Sequence, residues 1–146
     1  LAYRLSGDEA TARSTWQSAR GELEEMLKAS PDDSSLVASL GLVSAGLGDG
    51  KEALAFGERA MKLQPTREDA VNGPGFEEQL ARIQAQLGEK DQAIAQLARL
   101  LKTPYFSPLY GASITPALLR QDPSWNALRA DPRFQSLLGS GAIAHR

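Results

Sequence analysis

Cysteine is absent from this chain, and its one histidine, His145, stands next to the last residue. The first absence removes disulfides, thiolate metal sites and cysteine nucleophiles. A histidine beside a chain end reads as a solvated side chain, not as a ligand or a general base. Long apolar runs are also missing. The longest weakly polar stretch, Leu36 to Gly48, is 13 residues and carries two serines, whereas a bilayer span needs roughly 20 apolar residues. No direct membrane insertion is expected. The opening residues, LAYRLSGDEA, lack the basic start, apolar centre and small-residue cleavage site of a signal peptide. They read as a helix cut in mid-course, so the chain is expected to be a piece of a larger protein.

Catalytic signatures are missing as well. The sequence holds no phosphate-binding loop, no nucleophile elbow and no helix with paired metal ligands. Gly73 and Gly75 flank Pro74, and a proline in place of an amide donor makes a poor phosphate cradle. The acidic clusters, Glu22 with Glu24 and Glu25, and Glu77 with Glu78, fall on polar positions of amphipathic helices and read as solvated faces. With no convergent acid, base or nucleophile, neither an enzyme nor a cofactor or metal site is expected.

What is present is ordinary for one folded domain: 42% hydrophobic and 23% charged residues over 146 positions, enough to bury roughly two-thirds of the unfolded surface. The net charge of -2 is unevenly spread, with four basic and seven acidic residues in 1–33 and six basic and two acidic in 99–146. Six basic charges without a recognition motif do not make a nucleic-acid surface.

The organising stretch is 36–65. Leu36, Leu40, Val43 and Leu47 recur at spacings of four, three and four, which makes one apolar helical stripe. Ala53, Gly57 and Ala60 give a second helix a small-residue face. Gly48, Asp49 and Gly50 separate the two helices, Asp49 is placed to cap the second, and Pro65 stops it after Leu63. A glycine followed five residues later by alanine recurs at Gly7 and Ala12, Gly48 and Ala53, and Gly88 and Ala93, offset by 41 and 40 residues. Such a period marks stacked helical hairpins.

The first hairpin keeps only its second helix, which Asp8 is placed to cap and whose stripe is Ala12, Trp16, Ala19, Leu23 and Met26. Asp32 and Asp33 are placed to cap the helix that follows Pro31. In the third hairpin Thr66 is a cap candidate, and Asn72, Gly73, Pro74 and Gly75 predict a short turn near 67–72 and then a break. Phe76, Leu80, Ile83 and Leu87 carry its main helix, and Ala93, Ile94, Leu97, Leu100 and Leu101 line the partner.

On these residues the chain resembles the tetratricopeptide repeat family. Leu40, Gly41, Ala53, Ala60 and Pro65 stand in the family's order and spacing, as do Leu80, Ala81, Ala93 and Leu97, while Gly57 takes the place of the family's usual aromatic. The resemblance covers residues 1–103 and implies an all-α fold of about two and a half antiparallel hairpins stacked as a right-handed superhelix.

Residues 104–146 form a different region. TPYFSPLYGASI is irregular, and Thr115-Pro116, Asp122-Pro123 and Asp131-Pro132 each pair a cap with proline at the first helical position, predicting three short capping helices. Trp125 with Leu128, and Phe134 with Leu137, share a face. This ending resembles segments that follow such repeats in bacterial signalling and regulatory proteins.

A non-enzymatic protein-interaction scaffold is therefore expected, with a protein or peptide as partner. By family resemblance the first helix of each pair lines the concave side. That places Ser35, Ala38, Ser39, Leu42 and Ala45 in the groove from one hairpin, and Glu78, Gln79, Arg82 and Gln86 from the next. Tyr105, Phe106 and Tyr110, beside Arg120, Arg129 and Arg133, form a second candidate surface. Two alternatives remain open: self-association as a homo-oligomer or spacer, and small-molecule sensing in a cavity ringed by Tyr105, Tyr110 and Trp125. Cysteine content fits cytoplasm and periplasm alike.

Overall fold

The computed structural model describes residues 9–139, and within them every regular element is helical. The order is α1 (Glu9–Ala29), α2 (Ser34–Leu47), α3 (Gly50–Leu63), α4 (Gly73–Leu87), α5 (Lys90–Leu100), α6 (Pro116–Gln121), a 3₁₀ helix (Pro123–Leu128) and α7 (Pro132–Gly139). No helix among the described residues is long and apolar enough to cross a membrane. Gly7, Asp8 and His145 lie outside the described residues.

Two hairpins, α2 with α3 and α4 with α5, turn at glycines that accept a left-handed backbone. Gly48 has φ 91° and Gly88 has φ 83°, and each ends its helix by donating its N–H to carbonyls of the last turn. Asp33 caps α2, its Oδ1 accepting from the amides of Ser35 and Leu36. Asp49 precedes α3 but makes no capping bond. Its carboxylate accepts instead from Arg20 Nη1 at 3.0 Å, while Arg20 also reaches Glu24 and Glu52. The carboxylate expected to cap the start of α3 thus ties α1 to the α2–α3 turn.

Helix α2 packs on α1, α3 and α4. With three neighbours it buries more than a stripe: Val37, Ala38, Leu40, Gly41, Val43, Ser44 and Ala45 are all inside. The small face of α3 lies as expected, with Ala53, Gly57 and Ala60 buried. A Cβ on Gly57 would sit 2.8 Å from Leu80 Cδ1 and 3.2 Å from Ile83 Cδ1. Side chains of α4 therefore fill the space that the missing Cβ leaves.

Three expectations need correction. The sequence GPG does not break α4 but opens it. Pro74 occupies the first turn, where an amide donor is dispensable, and all three residues are buried. A Cβ on Gly73 would meet Thr66 Cα at 2.6 Å, and one on Gly75 would meet Pro108 Cδ at 2.8 Å, so close packing, not a kink, explains these glycines. Thr66 caps no helix; its hydroxyl donates to Glu77 at 2.6 Å. The preceding turn is held by Asp69, which accepts from the amides of Val71 and Asn72 and from the side chains of Asn72 and Gln64. On α1, Met26 is 55% exposed, and Leu27 packs against Val37, Ala38, Ala60 and Phe76 in its place.

The C-terminal region starts its three helices as expected, with Thr115, Asp122 and Asp131 accepting from the amides of Leu118, Ser124 and Arg133. Trp125 and Leu128 are both fully buried. In α7 the residue buried beside Phe134 is Leu138, with Leu137 only partly covered. The difference follows from geometry. Positions three apart eclipse in a 3₁₀ helix, whereas in an α-helix the fourth residue shares the face equally well.

The largest core does not stop at residue 103. Ala81, Ala85, Ile94 and Leu97 from the α4–α5 hairpin pack with Leu119, Trp125 and Phe134 from the C-terminal region. Burying an aromatic or leucine side chain stabilises by about 1.5 to 3 kcal/mol, so the two regions stabilise each other.

Candidate functional site

A cleft of about 510 Å³ opens between the hairpins and the C-terminal region. One wall is Leu42 and Gly46 of α2 with Trp16 of α1. The opposite wall is Leu109, Tyr110 and Leu118, and Arg82 with Asp122 forms the polar part, rimmed by Gln86, Gln121 and Ser124. Gly46 seats Trp16 closely: a Cβ there would lie 2.8 Å from Trp16 Cε2. The indole therefore lies against bare backbone, half-buried, with part of its surface in the cleft.

Arg82 organises what lies beneath. Its side chain is only 4% exposed. Nε and Nη2 donate to Glu78 Oε1 at 3.2 and 2.9 Å, Nη1 donates to Asp122 Oδ2 at 2.5 Å, and Nη2 donates to the Tyr110 hydroxyl at 2.6 Å. The guanidinium also lies 4.6 Å from the Trp125 ring centroid and 5.1 Å from that of Tyr110. Such a planar fork suits simultaneous carboxylate pairing and aromatic stacking.

Two tyrosines complete the cluster. Tyr105 donates to Glu78 Oε2 at 2.7 Å, and Tyr110 donates to Asp122 Oδ2. Ser113 fixes Tyr105, accepting from its amide at 2.7 Å and donating to its carbonyl at 2.8 Å. Burial, and then the nearby Glu78 carboxylate, push the Tyr105 hydroxyl above its ordinary pKa. Burial and the bond to Asp122 raise Tyr110 as well. Both phenols are thus neutral donors near neutral pH. Burial works against the charge on Asp122, but the hydrogen bonds from Tyr110, the Ser124 amide and Arg82 prevail and bring it down to about 2. Burial opposes the charge on Arg82 also, and Glu78 and Asp122 outweigh it and raise its pKa.

Of the residues expected in the groove, the cleft brings together Leu42, Arg82 and Gln86, with Tyr110 from the aromatic loop. Ser35 and Ser39 do not line it; Ser35 is exposed and the Ser39 hydroxyl donates to the Ser35 carbonyl. Ala38, Ala45, Glu78 and Gln79 are buried inside the helical stack. Tyr105 belongs to the core, and Phe106 is 49% exposed, its amide donating to Val71 O at 2.8 Å. The three arginines expected beside the aromatic loop are bound internally. Arg120 donates to the Leu138 carbonyl, Arg129 to the Arg120 carbonyl, and Arg133 pairs with Asp91 and Asp131.

Sequence reasoning placed Trp16 in a helix stripe and read Asp122 only as a cap, missing the second role of each. The signal for Trp16 was present: an indole on the same helix face as small residues, with Gly46 on the next helix to receive it. For Asp122 no local signal existed, because its cation lies on α4.

A scan against protein-family models, a search of curated proteins and a search of solved structures found no match to the chain. Among the described residues no group of histidine, cysteine and acidic side chains could hold a metal ion.

Proposed function

We propose that this chain is a non-enzymatic protein-interaction module, built of tetratricopeptide-like hairpins that stack as a right-handed superhelix and closed by its C-terminal helices. It serves as the C-terminal module of a larger bacterial signalling or regulatory protein. The stacking is supported by the packing of α1 on α2, α3 on α4 and α2 on α4, the neighbour-to-neighbour pattern of repeat arrays. The observation that carries the functional reading is the cleft, where Leu42 of one hairpin and Arg82 and Gln86 of the next face a C-terminal wall across about 510 Å³. Apolar walls with a few polar groups suit a partner segment whose side chains anchor between Trp16, Leu42 and Leu118.

The same volume lies in the range of small-molecule sites, roughly 300 to 1,000 Å³, which favours small-molecule sensing as a second reading. Of the ring Tyr105, Tyr110 and Trp125 expected around such a ligand, Tyr110 and Trp125 have the Arg82 guanidinium over their rings, so the second reading rests on the cleft beside them.

Selection from a displayed random-peptide library tests the first reading. Enriched peptides should lose binding with Trp16→Ala and Leu42→Glu but keep it with Met26→Ala on the outer face of α1. Failure to enrich any peptide, or binding indifferent to the cleft variants, would count against it.

A further inference from the structure

The charge beneath the cleft does not balance. Arg82 supplies one cation against two carboxylates, those of Glu78 and Asp122. With both tyrosines neutral the cluster carries one net negative charge. Glu78 is sealed at 0% side-chain exposure, whereas Asp122 is 14% exposed and borders the cleft. The excess charge therefore reaches solvent through Asp122.

Asp122 also keeps acceptor capacity. Oδ2 accepts from Arg82 and Tyr110, and Oδ1 accepts from the Ser124 amide at 2.8 Å. A carboxylate offers about four acceptor positions, so one on Oδ1 remains for a ligand. Among the described residues the other charged group lining the cleft is Arg82, whose guanidinium is 4% exposed and already paired with Glu78 and Asp122. The adjoining hollow beside Trp16 contains Glu9 and Arg13, whose charges cancel. Trp16 lines the same cleft as Asp122, and indole is the aromatic ring best suited to a cation.

We infer that the cleft takes a partner-protein segment in which an arginine or lysine neighbours an apolar side chain, the cation reaching Asp122 and the apolar group lying between Trp16, Leu42 and Leu118. This rests on the reading of the cleft as a protein-binding surface. An acidic segment is excluded by the unbalanced carboxylate, which a low-dielectric cleft makes more costly to face with a like charge. An entirely apolar segment leaves Asp122 covered and less well solvated.

The test uses acetylated, amidated hexapeptides with leucine and phenylalanine flanking one variable position, occupied by arginine, citrulline or glutamate. Each is titrated calorimetrically into the full chain. The arginine peptide should bind roughly tenfold or more tightly than its citrulline counterpart, as expected for a charge-assisted hydrogen bond, and glutamate should bind weakest. Asp122→Asn should bring arginine and citrulline together. Equal affinities on the unaltered protein, with binding abolished by Leu42→Glu, would overturn the cation preference and leave the cleft reading standing. Absence of binding by all three peptides would overturn both. If Asp122→Asn fails to fold, the series on the unaltered protein decides alone.

Discussion

Arg82 and Asp122 are separated by 40 positions in the chain and by 2.5 Å in the structure. This contact locks the middle of α4 to the start of the 3₁₀ helix, and the neighbouring Glu78, Tyr105 and Tyr110 bind the irregular loop to the same cation. Removing the cation strands two carboxylates, one of them fully buried. Arg82→Ala should therefore cost about 3 to 5 kcal/mol of unfolding free energy, measured by urea denaturation. In a double-mutant cycle with Glu78→Gln, the combined loss should fall short of the sum of the single losses.

Acidification should weaken the fold through Asp122. Its pKa is about 2 in the folded chain, below the roughly 3.9 of an unfolded aspartate. The stability from its ionised form is therefore fully present above about pH 4 and is lost as pH falls toward 2. Asp69 and Asp131 are lowered to about 2 as well, by hydrogen bonds from Asn72 and Arg133 respectively, and act in the same direction. Asp122→Asn should flatten, without abolishing, the fall in melting temperature between pH 4 and pH 2.

The C-terminal region is structural as well as site-forming. Trp125 is fully buried against the α4–α5 hairpin and the Arg82 guanidinium. Trp125→Ala should cost about 3 to 5 kcal/mol. Ending the chain after Thr103 should expose Ile94, Leu97 and Leu100 and lower the melting temperature further, which differential scanning calorimetry would register.

Two glycines in helices should respond with opposite signs to alanine. Gly21 of α1 has no atom within 4 Å of a built Cβ, so Gly21→Ala should stabilise by about 0.5 to 1 kcal/mol through helix propensity. At Gly57 the new methyl would press on Leu80 and Ile83, and Gly57→Ala should destabilise by about 1 to 3 kcal/mol. Thermal denaturation of the two single variants provides the comparison.

The hairpins were legible because their information is local. Gly48 and Gly88 end helices, the alanines that follow mark small faces, and proline after a cap begins a helix. Errors arose where two local readings were equally good and packing chose. Met26 and Leu27 both continue an apolar stripe, and packing against the cluster of Val37, Ala38, Ala60 and Phe76 selected Leu27. Leu137 and Leu138 posed the same ambiguity on α7. GPG reads as a break in isolation, yet Thr66 and Pro108 press close to its glycines and make it a helix start.

The site was only half legible. Leu42, Arg82 and Gln86 were expected from the family resemblance, which puts the first helix of each pair on one side, and all three line the cleft. The burial of Arg82 does not, because the groups that cover it come from a loop with no periodic pattern. Asp122 illustrates the limit: its capping role is written in the next two residues, while its salt bridge depends on where the C-terminal region folds back.

Nuclear magnetic resonance of the chain with a library-selected peptide tests the central claim most directly, because Trp16 supplies an indole N–H signal at the cleft and Met26 an amide on the outer face of α1. The account predicts that the Trp16 indole and the amides of Leu42 and Gln86 shift as peptide is added, while that of Met26 stays in place. Shifts gathered around Met26, with Trp16 unmoved, would contradict it.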